Sequence, residues 1–358
     1  MKKKILISTG GTGGHVIPAT IFYDQLKDEF DVFLVTDKRG CKFLNLEKYK
    51  LTVINTPKLT TNLFLLPLSL FGLFFSMIKS LFFLKKNRIE VLISTGGYMS
   101  LPICIAAKIF RIKIYLFEPN MVLGRVNNIF LRYAEKIFCY SNEIINFPKK
   151  YLSKILLINS LLRKEFYSFI SDDKNKIDKQ INLLIIGGSQ GAEVFDKKLK
   201  KSIISLSKKY KLNVCQQTSF QNKKNLEDFY SKNNISYQLF NFEENILKFI
   251  SNANLCITRA GASTLSELTY LNIPYLAIPY PFAKDDHQFQ NALFYKNKNC
   301  CWILKQDEIN EDILENNLIN IIQNKDDYLS KKSSMKNFSC KNTWKNTNQK
   351  LIRVINEN

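Results

Sequence analysis

The sequence predicts an α/β protein built on two doubly wound parallel sheets, and three observations carry that prediction. A short β-rich run, a glycine turn and a helical run recur along the 358 residues, the pattern of parallel strands with helices on both faces. The pattern begins at the start of the chain and restarts near its middle, which calls for two sheets; the length allows two cores. Between the two apolar regions lies the polar stretch SDDKNKIDKQ, which places the domain boundary between Asn159 and Gln180.

In order, KILIST reads as the first strand, Gly10-Gly11-Thr12-Gly13-Gly14 as its loop and IPATIFYDQLKDEF as a helix. DVFLVT is a second strand. The run LFLLPLSLFGLFFSMIKSLFFLKK, Leu63 to Lys86, is apolar, but Pro67, Gly72 and Lys79 interrupt it, and its longest uncharged part falls short of a comfortable bilayer crossing. The expectation is a helix buried in an α/β layer. The alternatives are an interfacial helix with Lys79, Lys85 and Lys86 snorkelling, or a membrane span. VLISTGGYMSLPICIAAKIF repeats strand, Gly-Gly and helix, and KIYLFEPN and KIFCYS follow as strands. INLLIIGGSQGAEVFDKKLKKSI restarts the theme and NLCITRAGASTLSELTYL repeats it; YLAI then leads into PYPFAKDDHQFQNA. The tail NTWKNTNQKLIRVINEN reads as one amphipathic helix.

Lys and Arg number 52 against 31 Asp and Glu, a formal net charge of +21. Such a surface suits anionic lipid, phosphorylated substrates or nucleic acid. Neither zinc-finger spacing nor the aromatic RNA-binding signature is present, so no nucleic-acid partner is expected. None of the 8 cysteines forms a CxxC pair; they read as reduced, buried thiols rather than a disulfide frame or zinc site. The apolar run in MKKKILISTGG is too short for a signal peptide, which points to the cytoplasm.

In open α/β sheets ligands bind where strand carboxyl ends meet helix N-termini. A helix start offers unpaired N–H groups and positive partial charge, and glycine lets an anion approach closely. The loops at Gly10–Gly14 and Gly187-Gly188-Ser189-Gln190-Gly191 are therefore candidate phosphate or sugar cradles. Neither dinucleotide nor P-loop spacing fits, since Val16 stands where GxGxxG needs its last glycine and no GxxxxGK[ST] occurs. His15 is one of only two histidines, and an imidazole titrating near neutrality can take a proton from a hydroxyl; a loop-bonding histidine is the alternative. Glu267, in RAGASTLSEL, offers two oxygens to a ribose diol, or closes a capping box with Thr264. Asp285-Asp286 are read as solvated loop acids, not metal ligands.

Together, GGTGGHVIPA, STGGYMSLP, FEPN, GGSQGA, RAGASTLSEL and DDHQFQNA, in that order from Gly10 to Ala292, resemble the MurG family of membrane-associated glycosyltransferases. The resemblance implies a GT-B fold of two Rossmann-like domains facing across a cleft: residues 1–160 on the acceptor and membrane side, 161–340 for UDP-GlcNAc, and a helix at 341–358 returning to the first domain. It implies inverting transfer of N-acetylglucosamine from UDP-GlcNAc to the MurNAc C4 hydroxyl of undecaprenyl-pyrophosphoryl-MurNAc-pentapeptide (lipid I to lipid II), a step of peptidoglycan synthesis serving cell shape and division. The enzyme would be peripheral, on the cytoplasmic face of the inner membrane.

By motif match, Gly11, Thr12, Gly13, Asn120, Arg163 and Ser189 would contact donor sugar or phosphates, and the uridine contact would fall at Glu243, through backbone atoms. Ala262, Ser263, Thr264, Leu265, Ser266 and Glu267 would wrap diphosphate and ribose, Gln288 would reach the sugar, and His15 would be the general base. No metal or other cofactor is implied, because helix dipoles and Arg163 would stabilise the leaving diphosphate. The sequence departs from the family pattern at Pro119, in NSLLRKEF around Arg163, and at Glu243. Another lipid-acceptor GT-B transferase, such as a diacylglycerol glycosyltransferase, a UDP-sugar epimerase and a nonenzymatic nucleotide-binding membrane protein are the competing readings.

Overall fold

A computed structural model of the protein describes residues 2–57, 62, 64, 66–169, 177, 180–188, 193–241, 243 and 245–357. Two compact units emerge: residues 1–162 with 342–358, and residues 163–341. The polar stretch expected to mark the boundary lies largely outside the described residues.

The first unit holds seven parallel strands: β1 (Lys4–Ser8), β2 (Asp31–Thr36), β3 (Leu51–Val53), β4 (Val91–Ser94), β5 (Lys113–Glu118), β6 (Ala134–Cys139) and β7 (Ile155–Leu157). Their order is β3-β2-β1-β4-β5-β6-β7. Helices α1 (Gly13–Leu26), α2 (Leu66–Asn87), α3 (Ser100–Ile109) and α4 (Arg125–Phe130) connect them. Successive strand residues face opposite sides, and both sides are covered, so the strands read as unbroken apolar runs. Ile5, Ile7 and Leu34 pack with Phe22 and Leu26 of α1; Leu6, Val35 and Leu92 pack with Ile103 and Ala107 of α3.

The expected start of the first helix was Ile17; α1 begins at Gly13 instead. A first helical turn has no intrahelical partners for its amides, so glycine is tolerated there and His15 joins the helix.

Helix α2 overturns the expectation of a buried layer helix. It turns Ser76, Ser80 and Leu84 inward and leaves Phe71 60% and Phe82 70% exposed. The small residues permit close approach, and their hydroxyls bond back along the helix, Ser76 Oγ to the Gly72 carbonyl at 2.9 Å and Ser80 Oγ to that of Ser76 at 2.7 Å. The polarity of an ordinary amphipathic surface helix is thus inverted. By length and apolarity α2 would also suffice to cross a bilayer.

The second unit holds six parallel strands: β8 (Gln180–Ile186), β9 (Lys211–Gln217), β10 (Ser236–Phe240), β11 (Leu255–Thr258), β12 (Tyr275–Ala277) and β13 (Cys301–Ile303), ordered β10-β9-β8-β11-β12-β13. Its helices are α5 (Lys164–Ser168), α6 (Glu193–Lys198), α7 (Lys200–Lys209), α8 (Phe220–Lys232), α9 (Leu247–Ile250), α10 (Ala262–Tyr270), α11 (His287–Asn297), α12 (Glu311–Gln323) and α13 (Lys325–Ser339).

The last helix, α14 (Trp344–Glu357), belongs to the first unit. Leu351 and Ile355 are fully buried in its core, Lys3 Nζ donates to the Ile355 carbonyl at 2.9 Å and Tyr115 Oη to that of Val354 at 3.2 Å. Leu351→Ala is expected to cost about 2–5 kcal/mol, read as a lowered urea midpoint of the unit that contains β1.

Candidate active site

In the first unit β1 and β4 are neighbours whose connections run to opposite sides of the sheet, a topological switch point where α/β ligands bind. The loops leaving these strands are the glycine turn before α1 and Thr95-Gly96-Gly97. Gly11, Gly96 and Gly97 have φ of +86°, +85° and +81°, a region side-chain-bearing residues rarely enter.

His15, third residue of α1, lies across the Gly96-Gly97 backbone. A Cβ on Gly97 would stand 3.2 Å from its Cδ2, so the second glycine makes room for the ring. His15 Nδ1 is 2.8 Å from the Thr95 carbonyl oxygen. A carbonyl only accepts, so Nδ1 carries the hydrogen, and in the neutral form of the ring the lone pair is the one on Nε2. Thr95 Oγ1 in turn donates to the His15 carbonyl at 3.1 Å. The imidazole is thereby fixed in tautomer and orientation, as a general base requires.

Asp37, directly after β2, is a residue that motif reading missed. Its Oδ1 accepts the amides of Gly11 at 3.0 Å and Gly40 at 2.9 Å, and Oδ2 accepts Arg39 Nε at 2.6 Å. Gly11 N–H therefore serves the loop itself, and the amides of Thr12 and Gly13 are the ones at the helix start. Burial alone would raise the Asp37 carboxyl; the two amides and Arg39 outweigh it and hold the group below its ordinary value. With the folded pKa below the unfolded one, its stabilising contribution is present above the ordinary 3.8 and is lost as pH falls through the folded value. Asp37→Asn is expected to cost about 1–3 kcal/mol at neutral pH. The gap to the parent should close in acid, as urea denaturation at neutral pH and near about pH 3 would read.

Glu118, at the end of β5, is the second missed residue. It is buried, and its oxygens accept Asn120 N at 3.2 Å, Asn120 Nδ2 at 3.0 Å, Gly124 N at 2.7 Å and Asn127 Nδ2 at 2.9 Å. The donor end of Asn120 is thus turned onto Glu118. Asn127 also donates to the Phe117 carbonyl at 2.9 Å and lies beside Gly96.

In the second unit the switch point falls between β8 and β11. After β8, Gly187 N donates to Gln217 Oε1 at 3.1 Å, and Gly188 has φ +82°; Ser189 lies outside the described residues. After β11, Arg259 is buried and donates to the Ile278 and Pro279 carbonyls, each at 3.1 Å. Burial pulls its pKa down to about 10, which leaves it charged at neutral pH. Gln288 Oε1, near the start of α11, accepts Ala260 N at 3.2 Å and Tyr280 N at 3.0 Å. Its carbonyl end thus braces the turns after β11 and β12. Glu243 is held by Lys248 and by Asn245 N at 2.9 Å, and these bonds hold its carboxyl below the ordinary range.

Gly261 precedes α10, so the helix begins earlier than a Thr264–Glu267 capping box requires. That alternative fails: Glu267 sits in mid-helix, and its Oε1 accepts Arg163 Nη2 at 2.9 Å. Ala262, Ser263 and Thr264 form the partly exposed first turn. Leu265 is wholly buried, its N–H bonded to the Gly261 carbonyl at 3.0 Å, and Ser266 Oγ is 2.9 Å from Tyr295 Oη inside the core. Asp285 and Asp286 are exposed, both with positive φ.

Two doubly wound parallel units, each with glycine loops at its switch point, are the architecture of the GT-B class of glycosyltransferases. The description "Glycosyltransferase family 28 N-terminal domain" matches residues 5–139 and "Glycosyltransferase family 28 C-terminal domain" matches 182–347. The chain belongs to glycosyltransferase family 28. It is 55% identical over 358 residues, the whole of both chains, to the UDP-N-acetylglucosamine–N-acetylmuramyl-(pentapeptide) pyrophosphoryl-undecaprenol N-acetylglucosamine transferase of Pelagibacter ubique. A crystal structure of Acinetobacter baumannii MurG shares its fold with TM-score 0.77 and 22% identity over the whole of both chains. A UDP-N-acetylglucosamine 2-epimerase superposes with TM-score 0.65 at 11% identity, covering 93% of this chain and 91% of its own. The fold is therefore common to transferase and epimerase.

Proposed function

We propose that the protein transfers N-acetylglucosamine from UDP-GlcNAc to the MurNAc C4 hydroxyl of undecaprenyl-pyrophosphoryl-MurNAc-pentapeptide, converting lipid I to lipid II. The observation that carries this reading is a tautomer-fixed His15 at the switch point of a chain 55% identical, end to end, to a transferase of that name.

In the proposed reaction the C4 oxygen attacks the anomeric carbon, its proton passes to His15 Nε2, and the bond from that carbon to the UDP β-phosphate oxygen breaks. One displacement turns an α-linked donor into a β-linked product. In the first unit the amides of Thr12 and Gly13, and Asn120 held by Glu118, face the reacting sugar. In the second, the turn Ala262–Thr264 at the start of α10 favours the diphosphate by helix-start charge, and Ser189 joins it by motif match. Glu267 takes the ribose diol, Gln288 the sugar, and the backbone at Glu243 the base.

The outer face of α2, with exposed Phe71, Phe74 and Phe82 beside Lys79, Lys85 and Lys86, is proposed to rest on anionic lipid at the cytoplasmic face of the inner membrane. Changing Phe71, Phe74 and Phe82 together to Ser is expected to lower co-sedimentation with anionic vesicles about tenfold or more, with urea stability unchanged.

The function is tested by incubating the protein with labelled UDP-GlcNAc and a lipid-linked MurNAc acceptor in the presence of chelator. Label in the lipid phase supports the reading. No transfer, transfer only when metal is restored, or preference for diacylglycerol overturns it.

A further inference from the structure

The ion pair between Arg163 and Glu267 joins two groups within the second unit. Their side chains are 14% and 7% exposed, and Arg163 Nη2 stands 2.9 Å from Glu267 Oε1. Arg163 directly precedes α5, with its guanidinium carbon 5.2 Å from the Phe166 ring and its Nε 4.0 Å from Glu165 Oε1. Its direction is therefore set by packing as well as by charge.

Glu267 has a physical difficulty that this pair addresses. Burial pushes its carboxyl up, Glu165 adds to the push, and Arg163 is the group that opposes them. A protonated carboxyl gives up acceptor capacity, and a ribose diol presents two O–H donors that both need acceptors. Oε1 has two lone-pair directions. One is used by Arg163, and the other, together with Oε2, remains for the diol. The pair and the diol are thus compatible, and the carboxylate is of use to a ribose only while ionised and correctly turned.

We infer that Arg163 is a positioning residue, acting on the uridine nucleotide through Glu267 and its ribose contact rather than by a bond to the diphosphate. The inference rests on the reading that a uridine nucleotide is the ligand of this unit.

Titrating the full chain calorimetrically with UDP and with 2′,3′-dideoxy-UDP tests it, using the parent, Arg163→Ala and Glu267→Gln. Either substitution is expected to weaken UDP by about tenfold. The dideoxy compound should bind the parent more weakly than UDP does, and Arg163→Ala should weaken it no further than about twofold. A loss with Arg163→Ala that is equally large for both compounds places the guanidinium on the diphosphate and overturns the inference. Arg163→Lys keeps the charge without the planar fork; it replaces the alanine variant if circular dichroism shows that one unfolded. It is held to the same comparison, with a loss of about threefold expected for UDP alone. Absence of UDP binding to the parent overturns the ligand reading itself, a failure distinct from the analogue pattern.

Discussion

Replacing His15 with alanine is expected to lower kcat by about 10²–10⁴-fold while UDP affinity changes by no more than about twofold. The split follows from geometry. The Thr95 carbonyl holds the hydrogen on Nδ1, so the lone pair at Nε2 is what the ring contributes, and a proton acceptor matters only once an alcohol attacks. The groups proposed to hold the nucleotide follow β8, β10 and β11 or lie on α10 of the second unit, and do not include this ring. Steady-state turnover with a lipid acceptor, paired with calorimetry for UDP, checks both halves. Unchanged kcat would remove His15 from the mechanism; lost UDP affinity would recast it as a binding residue.

Glu118→Ala should show the largest stability effect of any single change near the site, a loss of about 3–5 kcal/mol. The carboxylate receives four N–H donors from Asn120, Gly124 and Asn127, and its removal leaves donors in a buried region with no acceptor. Glu118→Gln keeps one oxygen but turns an NH₂ toward a donor, so it should fall between parent and alanine. Urea denaturation gives the stability. Turnover should drop as well, because Asn120 and Asn127 lose the group that aims them. Full activity in a destabilised Glu118→Ala protein would confine Glu118 to a folding role.

The strands legible in the sequence are those covered on both faces. KILIST, VLIS and LLII are unbroken apolar runs because sheet neighbours and helices hide every side chain. The strands that escaped notice are mostly at sheet edges: β3, β7, β10 and β13, three of them only three residues long. β9 is interior, but Asn213, Gln216 and Gln217 break its apolar signal. The glycine loops were visible because positive φ leaves few alternatives to glycine.

The side chains that brace those loops were harder to see. Asp37 and Glu118 act on amides two to six residues away by chain or across a strand, and no spacing rule marks a lone carboxylate after a strand. A carboxylate at the carboxyl end of an apolar run, Glu118 after IYLF and Asp37 after VFLVT, was the available clue. Helix α2 misled because apolar composition alone does not say which face is covered: only Ser76, Ser80 and Leu84 turn inward, while Phe71 and Phe82 stay exposed. The capping box misled because Gly261 starts α10 before Thr264 is reached.

The return of α14 to the first unit sets a timetable for biosynthesis. The contacts of Leu351 and Ile355 with a core that begins at Ile5 cannot form while residues 163–341 are still being translated. At about 5–20 residues per second the ribosome takes on the order of ten to forty seconds over that interval. Throughout it the nascent amino-terminal half lacks the cover that Leu351 and Ile355 give its core, so that core is completed only after the second unit has been made.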